Sequence, residues 1–536
     1  MRADLRSFLA QLDEAGLLVR IEREADAATE VGRLLRALEL RGVAGLFTRV
    51  RGADADLVYN LVGTRRALEL ALGAEPGRAR ARFAHALENR LVPVVVDDAP
   101  AQEVVHTGDD ADLRRLPLVT HSEKDVAPYV TAGAVIARDP ATGQRNVSFN
   151  RMMLVGARET GIRMMPPQQL GVIQARAEES GRDLPVAVAI GLHPVDALAA
   201  ATSLPPGEDE LELAGGLRGE PLRLARCVSV DLEAPADAEI VIEGVVQANV
   251  REPEGPFGDF LQFYVPEMRN HRLRVTAITH RRDPIWVSII SQLTPSESSK
   301  TKQRAFETLA LKLLREHHGF KAVQHVTLYE PLLNRQYGVI KMKKVSDIEP
   351  WDAMYALLGN RTRCKIIVAV DEDIDPEDAM AVNWAIVNRC QPHRDMRIIQ
   401  PRPLPHGPLR FLADGNSYDK QDSALLIDAT AKGSFPPISL PAREHMERAK
   451  AIWDELELPA LELRNPWFGY SLGMWTEEAQ EEARLASEGR HFETGKKLQA
   501  RREPTPPGTR IDQFRREHRS HSDFAKTSER NSKKKS

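Results

Sequence analysis

Cysteine is scarce in this chain, and its scarcity excludes several classes of protein. The 536 residues contain only three cysteines, Cys227, Cys364 and Cys390. They form no CxxC pair, and no cysteine or histidine spacing suits zinc. A disulfide framework is also excluded, which is typical of a reducing compartment. We therefore expect a cytoplasmic protein.

Charge of one sign and long apolar runs are lacking as well. The formal net charge of −4 is small for this length and indicates neither nucleic acid nor an anionic membrane as a partner. No stretch approaches the roughly 18 apolar residues of a membrane-spanning helix, and the N-terminal pattern is an amphipathic helix rather than a signal peptide. No GxGxxG loop follows a predicted strand, so nothing indicates dinucleotide binding.

The chain has enough length and periodicity for two or three domains. Residues 1–110 alternate helical and strand patterns and predict an α/β domain. Residues 111–297 contain β-branched runs joined by short turns, which favour an antiparallel barrel or sandwich. Residues 298–320 predict a connecting helix, and residues 321–475 predict a second α/β unit. Residues 476–536 are charged, helix-prone and then poor in apolar residues, so we expect a disordered end.

A short acidic bend follows one of the clearest predicted strands. Residues 251–260 read REPEGPFGDF, in which two glycines and two prolines stiffen a turn that carries three carboxylates. Glu254 and Asp259 flank its Gly-Pro-Phe-Gly core, so both side chains can reach one point. Crowded carboxylates favour a shared proton unless a cation lies nearby, and such a pair suits general acid catalysis. A solvated hairpin turn is the alternative.

An arginine stands in an apolar strand pattern. Residues 146–157, NVSFNRMMLVGA, predict the second strand of a hairpin. Strand alternation puts Phe149 and Arg151 on one face and Asn150 on the other unless a bulge intervenes. A buried arginine requires an anionic partner. The alternative is a surface position on an edge strand.

Taken together, these motifs resemble the UbiD-type decarboxylases, which work with prenylated FMN. NVSFNR and EGPFGD carry the resemblance, and AEIVIEG, TPSE, VAVDEDIDPED and LLIDATAKG are similar to further landmarks in the family's order. The resemblance covers residues 1–475. Within it, PWFGYSLGMW resembles the branch that acts on aromatic and heteroaromatic acids.

The resemblance implies an architecture and partners. The implied fold class is α/β plus β, with an N-terminal α/β domain, a central flavin-binding split β-barrel, a long connecting helix and a C-terminal α/β domain for oligomerisation. The implied assembly is a homodimer or a larger homo-oligomer. A flavin prenyltransferase is implied as the supplier of the cofactor.

The resemblance also implies a reaction and its catalytic residues. The reaction is a reversible, non-oxidative decarboxylation of an aromatic, heteroaromatic or α,β-unsaturated carboxylic acid. Arg151 and Glu254 are implied to position the substrate, and Asp259 to donate the proton that replaces CO2. A bidentate arginine–carboxylate pair suits the first of these roles.

Cofactor contacts are implied for a wider set. Its members are Asn146, Phe149, Asn150, Arg151, Gln168, Gln169, Glu210 and Lys365. Asn146, Gln169 and Glu210 are the implied ligands of Mn²⁺ or Mg²⁺, with K⁺ nearby. Gln169 departs from the family, which has histidine there. A glutamine oxygen suits a hard cation but is a weaker ligand than imidazole for manganese, so metal binding stays open. A solvated surface position is the alternative for Glu210 and Lys365.

Two other functions stay open. A weakened flavin-binding or carrier protein would account for the missing metal histidine, although the retained acid and arginine argue against it. An ordinary flavin oxidoreductase would require a hydride donor, for which no dinucleotide loop is present.

Overall fold

A computed structural model describes most of the chain. The described residues are 3–164, 166, 168–259, 262–290, 296–329, 336–359, 364–403, 421–433, 443–459, 477–502, 504 and 506–508. The segment PWFGYSLGMW and almost all of the predicted disordered end lie outside them. Among the described residues, no helix has both the length and the apolar character needed to cross a bilayer.

The first part of the chain forms a sheet flanked by helices, as predicted. Its elements are α1 (Leu5–Glu14), β1 (Leu18–Ile21), α2 (Val31–Arg41), β2 (Ala44–Phe47), β3 (Asp56–Tyr59), α3 (Arg65–Ala71) and α4 (Ala79–Glu88). Asp4 caps α1, and Thr64 caps α3, each by accepting a hydrogen bond from a backbone N–H of the first turn. Apolar faces of these helices pack on the sheet and bury Phe8, Leu35 and Leu68.

The central part is rich in strands and supplies the largest sheet. Its elements are β4 (Val94–Val95), β5 (Val104–Thr107), β6 (Tyr129–Val130), β7 (Ala134–Arg138), β8 (Arg145–Phe149), β9 (Met152–Gly156), β10 (Glu159–Ile162), α5 (Gln169–Glu179), β11 (Leu184–Ile190), α6 (Pro194–Ala200), α7 (Glu210–Arg218), β12 (Arg223–Arg226), β13 (Glu233–Pro235), β14 (Ile240–Glu254), β15 (Phe257–Gly258), β16 (Tyr264–Val265), β17 (Met268–His280) and β18 (Ile285–Ser288). Nine of these strands form one sheet in the order β6-β9-β10-β17-β14-β11-β7-β8, with β5 also paired to β17.

The order of this sheet shows that it curls. Strand β8 forms one edge, and β9 lies next to the opposite edge, yet only Asn150 and Arg151 link the two strands. The two edges therefore approach each other at this link. No barrel closes among the described strands, so the prediction of a β-rich domain is confirmed as an open, curled sheet, and the finer description as a split barrel stays a prediction.

One expectation about this region is wrong. Strands β7 and β8 form the predicted hairpin, but the pattern from 146 to 157 is divided into β8 and β9, and Arg151 lies at the corner between them. Polar side chains stabilise this corner, because Asn150 Nδ2 donates to the Arg163 carbonyl at 2.8 Å. Strand β18, at the end of this region, pairs in parallel with β3 of the first sheet, where Trp286 is fully buried.

A long helix and a second α/β unit follow. They comprise α8 (Glu297–Lys312), a π-helical turn (Leu313–His317), β19 (Val323–Leu328), β20 (Tyr337–Met342), α9 (Glu349–Gly359), β21 (Ile366–Asp371), α10 (Ala379–Arg389), α11 (Pro392–Asp395), β22 (Met396–Pro403), β23 (Gln421–Asp428), α12 (Arg443–Glu455), α13 (Glu477–Ser487) and α14 (His491–Ala500). The sheet order is β19-β20-β21-β23-β22. A buried apolar cluster packs on each side of this sheet, which is typical of an α/β layer structure.

Candidate active site

A cavity of about 380 Å³ lies between the curled sheet, the first α/β unit and the start of α8. Five residues implied by the resemblance contribute to its wall, namely Phe149, Asn150, Arg151, Gln168 and Asp259. The wall also includes Phe257, Val265, Glu297 and Lys302. A concave, largely apolar site of this size with a few convergent polar groups suits a small ligand.

Arg151 and Glu254 form a bidentate pair beside this cavity. Arg151 Nε donates to Glu254 Oε1, and Nη2 donates to Oε2, both at 2.9 Å. Asn270 Nδ2 donates to Oε2 of the same carboxylate at 2.6 Å. The Glu254 side chain is 1% exposed. Two N–H groups of Arg151 and one of Asn270 therefore hold its buried carboxylate in one orientation. Nη1 of Arg151 takes no part in the pair with Glu254, and Arg151 itself lines the cavity.

The curled sheet brings this pair together. Glu254 is the last residue of β14 and pairs across the sheet with Met268 of β17, while Arg151 lies in the link between β8 and β9. Phe257 follows in the bend, and its ring lies 4.7 Å from the Arg151 guanidinium carbon, which adds a cation–π contact. Strand β10 lies next to the Glu254 side chain, because a Cβ on Gly161 of this strand would lie 3.4 Å from Glu254 Cγ. Residue 161 therefore packs in van der Waals contact with the Glu254 side chain.

Asp259 has a separate cationic neighbour. Its Oδ2 lies 3.8 Å from Arg163 Nη1, and its backbone N–H donates to the Phe263 carbonyl at 3.0 Å. The Gly258 N–H donates to Asp125 Oδ1 at 3.0 Å, which fixes the bend just before it. Because Glu254 and Asp259 face different arginines, the structure relieves the carboxylate crowding that the sequence predicts. The solvated-turn alternative is wrong for Glu254.

The implied metal ligands form a second cluster. Asn146 Nδ2 donates to Gln169 Oε1 at 2.8 Å and to Glu210 Oε1 at 3.4 Å, and the Val147 N–H donates to Glu210 Oε2 at 2.9 Å. Gln169 and Glu210 are the first residues of α5 and α7. Glu210 is 1% exposed, so the surface alternative for it is wrong. Burial raises the pKa of Glu210 to about 7.

The donor set of this second cluster fits a hard cation. Asn146 Oδ1 is buried and has no hydrogen-bond partner among the described residues. The oxygen and nitrogen of an amide can be exchanged by turning the side chain. Turning Asn146 would place its Oδ1 beside Gln169 Oε1 and Glu210 Oε1, so that three oxygen atoms lie together. An all-oxygen set suits Mg²⁺ or Mn²⁺ better than zinc. The described parts of the chain contain no group of three or more His, Cys, Asp or Glu side chains that could hold a metal ion. The present cluster is of a different kind, because two of its three residues are amides.

Lys365 lies apart from both clusters. Its Nζ pairs with Asp422 Oδ1 at 2.9 Å, directly before β21 in the C-terminal unit. It does not contribute to the wall of the cavity. Its assignment as a cofactor contact stays a prediction.

Sequence reasoning missed several residues that complete the site. Asn270 holds Glu254, Arg163 neighbours Asp259, Asp125 fixes the bend, and Glu297 lines the cavity. Asn270 is a polar residue, 2% exposed, in a strand pattern, which is the one local signal that could have identified it. The other contacts join distant segments and leave no local trace in the sequence.

Family models cover most of the described core. The N-terminal, Rift-related and C-terminal domains of 3-octaprenyl-4-hydroxybenzoate carboxy-lyase match residues 9–87, 93–293 and 300–429. The chain belongs to the UbiD family of decarboxylases. Among its UbiD relatives, the anhydromevalonate phosphate decarboxylase of Methanothermobacter thermautotrophicus is 31% identical over 419 residues, which is 75% of this chain and 94% of the relative.

Solved UbiD-class structures share the fold. An evolved dimeric form of HmfF from Pelotomaculum thermopropionicum in complex with prFMN is 34% identical, with a TM-score of 0.75 over 84% of this chain and 100% of that one. Vanillic acid decarboxylase of Sedimentibacter hydroxybenzoicus in an open form is 25% identical, with a TM-score of 0.74 over 84% of this chain and 99% of that one. The UbiD three-domain architecture therefore extends over residues 9–429 of this chain.

Proposed function

We propose that this UbiD-family enzyme removes CO2 reversibly and without oxidation from an aromatic, heteroaromatic or α,β-unsaturated carboxylic acid, with prenylated FMN as its cofactor. The observation that carries the proposal is the buried bidentate Arg151–Glu254 pair, with Asp259 on the wall of the same cavity. The similarity to HmfF, which was solved with prFMN, supports the cofactor. A flavin prenyltransferase would supply it.

The residues around the cavity have separate roles in the proposed reaction. Arg151 binds and orients the substrate carboxylate. Glu254 fixes the plane of the Arg151 guanidinium group, and Asn270 holds Glu254 in place. When bound, the cofactor supplies an electron sink for the charge left as CO2 departs. Phe149, Phe257 and Val265 line the cavity and exclude water from this charge. Asp259 Oδ2 then delivers the proton to the carbon that has lost CO2.

Asn146, Gln169 and Glu210 would hold the divalent cation, Mg²⁺ or Mn²⁺, with K⁺ as a companion. The Asn146 side-chain oxygen, which has no hydrogen-bond partner in the described parts of the chain, supports this role. The cation would neutralise the phosphate of the cofactor and so anchor it next to strand β8. Gln168, Phe149 and Asn150 line the cavity beside this cluster and would contact the cofactor.

A homodimer or larger homo-oligomer in the cytoplasm completes the proposal. A UbiD-class relative was solved in an evolved dimeric form, which supports assembly through copies of the same chain. The scarcity of cysteine supports the reducing compartment.

The first experiment identifies the flavin. The chain is co-expressed with a flavin prenyltransferase and purified without oxygen, and the released flavin is weighed by mass spectrometry. We expect prenylated FMN, followed by CO2 release from at least one member of a panel of aromatic and acrylic acids. Plain FMN, or no flavin, together with no turnover on the panel would overturn the proposal.

A carrier protein with an altered metal site is the second candidate. The glutamine at position 169, where the family has histidine, favours it. It predicts that Gln169→His changes neither metal content nor activity. An increase in both would instead support an enzyme whose cation site is weakened.

A further inference from the structure

A chain of hydroxyl groups leads from the cavity to a buried histidine. Thr131 lies directly after β6 and lines the cavity. Its Oγ1 lies 3.2 Å from Ser288 Oγ, and Ser288 Oγ lies 2.8 Å from His121 Nε2. Ser288 and His121 are 1% and 5% exposed. Of these three residues only Thr131 lines the cavity, and the proposed mechanism does not use it.

The fold puts Thr131 next to the corner that holds Arg151. The antiparallel pairs β6–β9 and β7–β8 flank this position on its two sides. The link 131–133 between β6 and β7 therefore runs opposite the corner 150–151 between β8 and β9. Because Thr131 and Arg151 both line the cavity, one ligand group can meet both side chains.

The surroundings of His121 determine which ring nitrogen carries its proton. Burial lowers the pKa of His121 to about 4, so the ring is neutral at neutral pH and has one N–H. Nδ1 is buried and has no hydrogen-bond partner among the described residues. A buried N–H without an acceptor is less tolerable than a buried lone pair without a donor. The proton therefore lies on Nε2, which donates to Ser288 Oγ.

The position of this proton sets the direction of the whole chain. Ser288 Oγ accepts from His121, so its own O–H is donated to Thr131 Oγ1. Thr131 Oγ1 also accepts a hydrogen bond from the Ile289 N–H at 3.0 Å. Both lone pairs of Thr131 Oγ1 are then occupied, and the described residues offer no acceptor for its O–H. This hydrogen is therefore left for an acceptor in the cavity.

We propose that Thr131 is a substrate-binding residue whose hydroxyl group donates a hydrogen bond to the carboxylate held by Arg151. This rests on the proposed function, which supplies the carboxylate. Ser288 and His121 are positioning residues, because they keep the Thr131 O–H in the donating direction and polarise it. The cavity then recognises a carboxylate through two side chains, the charged Arg151 and a neutral donor.

The experiment compares the wild type with Thr131→Val by isothermal titration calorimetry. Cinnamate, benzoate and 2-furoate are titrated into FMN-loaded protein, and FMN into flavin-free protein. For the acid that binds the wild type most tightly, we expect the dissociation constant to rise about tenfold, since the variant loses one hydrogen bond to a charged group. The dissociation constant of FMN stays unchanged. Thr131→Ser restores the hydroxyl group and the wild-type affinity, and Ser288→Ala gives a smaller rise because it interrupts the chain.

An unchanged affinity for the acid in Thr131→Val would overturn the proposal. Weaker binding of FMN instead of the acid would overturn it too, since the acceptor would then belong to the flavin. Thr279→Val is the matched control, because Thr279 is buried but does not line the cavity, and it leaves both affinities unchanged. An unchanged melting temperature checks that each variant folds.

A measurement without substitution at Thr131 tests the direction of the chain. In protein with ¹⁵N-labelled histidine, solid-state NMR distinguishes the protonated from the unprotonated ring nitrogen, and comparison with His121→Gln assigns the signals. A proton on Nδ1 of His121 would overturn the proposal. Turnover of the wild type on the acid panel is measured separately, so an unchanged affinity together with turnover rejects only the role of Thr131. Binding of none of the three acids and no turnover would reject the proposed function as well.

Discussion

Two polar clusters lie near strand β8, and they differ in how their charge is balanced. In the Arg151–Glu254 cluster a cation and an anion neutralise each other, and Asn270 occupies a further lone pair. The Asn146–Gln169–Glu210 cluster has one buried carboxylate and an amide oxygen for which the described residues offer no partner. The first cluster is complete within the protein, whereas the second has the composition of a site that a cation completes. Substitutions should therefore affect the two clusters differently.

The largest effect is expected on turnover. Glu254→Gln and Asp259→Asn each keep the shape of the side chain but remove its charge and its proton, so we expect loss of activity by at least about 10², with the flavin still bound. CO2 release and flavin absorbance measure the two properties. Glu252→Gln is the control, because Glu252 lies in the same bend but pairs with Arg272 and does not line the cavity. Full activity in either of the first two variants would contradict the assigned roles.

The next effect is on stability. Arg151→Met leaves the buried Glu254 carboxylate without its charge partner, so the free energy of unfolding should fall by about 3 to 5 kcal/mol. Urea denaturation measures it. The double variant Arg151→Met/Glu254→Gln should recover part of the loss, since no buried charge is left unpaired. A loss below about 1 kcal/mol in Arg151→Met would show that the pair is not buried as described.

A gain of function is expected at the second cluster. Gln169→His replaces a weak amide ligand by imidazole, so Mn²⁺ affinity should increase about tenfold, within the range that single changes around metal sites produce. Calorimetric titration with Mn²⁺ and the metal content of the purified protein measure it. Asn146→Ala should reduce the same affinity. Unchanged Mn²⁺ binding in both variants would remove the cluster as a cation site.

The smallest effect is expected on stability, from a substitution of Glu210 in the second cluster. Glu210→Gln removes the only carboxylate of the second cluster, but no cation pairs with Glu210 among the described residues, so no unpaired charge is left behind. We expect the free energy of unfolding to change by less than about 1 kcal/mol, against the larger loss for Arg151→Met. A loss as large as that of Arg151→Met would mean that the second cluster is also charge-balanced within the protein.

Local sequence patterns predicted helices and strands well where the apolar residues follow a single periodicity, either helical or strand-like. The helical spacing in residues 30–40 and the strand and helix alternation of residues 323–389 are both present in the structure. The pattern failed at Arg151, because residues 146–157 alternate as one strand although two strands with different partners share them. It also left open which sheet β18 joins, since a strand pattern does not reveal the partner of a strand.

The sequence by itself determined which side chains are available, where most strands and helices run, and, through its motifs, the family. Those properties depend on residue type and short-range periodicity. Only the tertiary structure decided that Arg151 turns a corner next to Glu254, that Asp259 faces Arg163, and that Glu297 reaches the same cavity from α8. These contacts join segments far apart in the chain, and the order of strands in the curled sheet sets which of them meet.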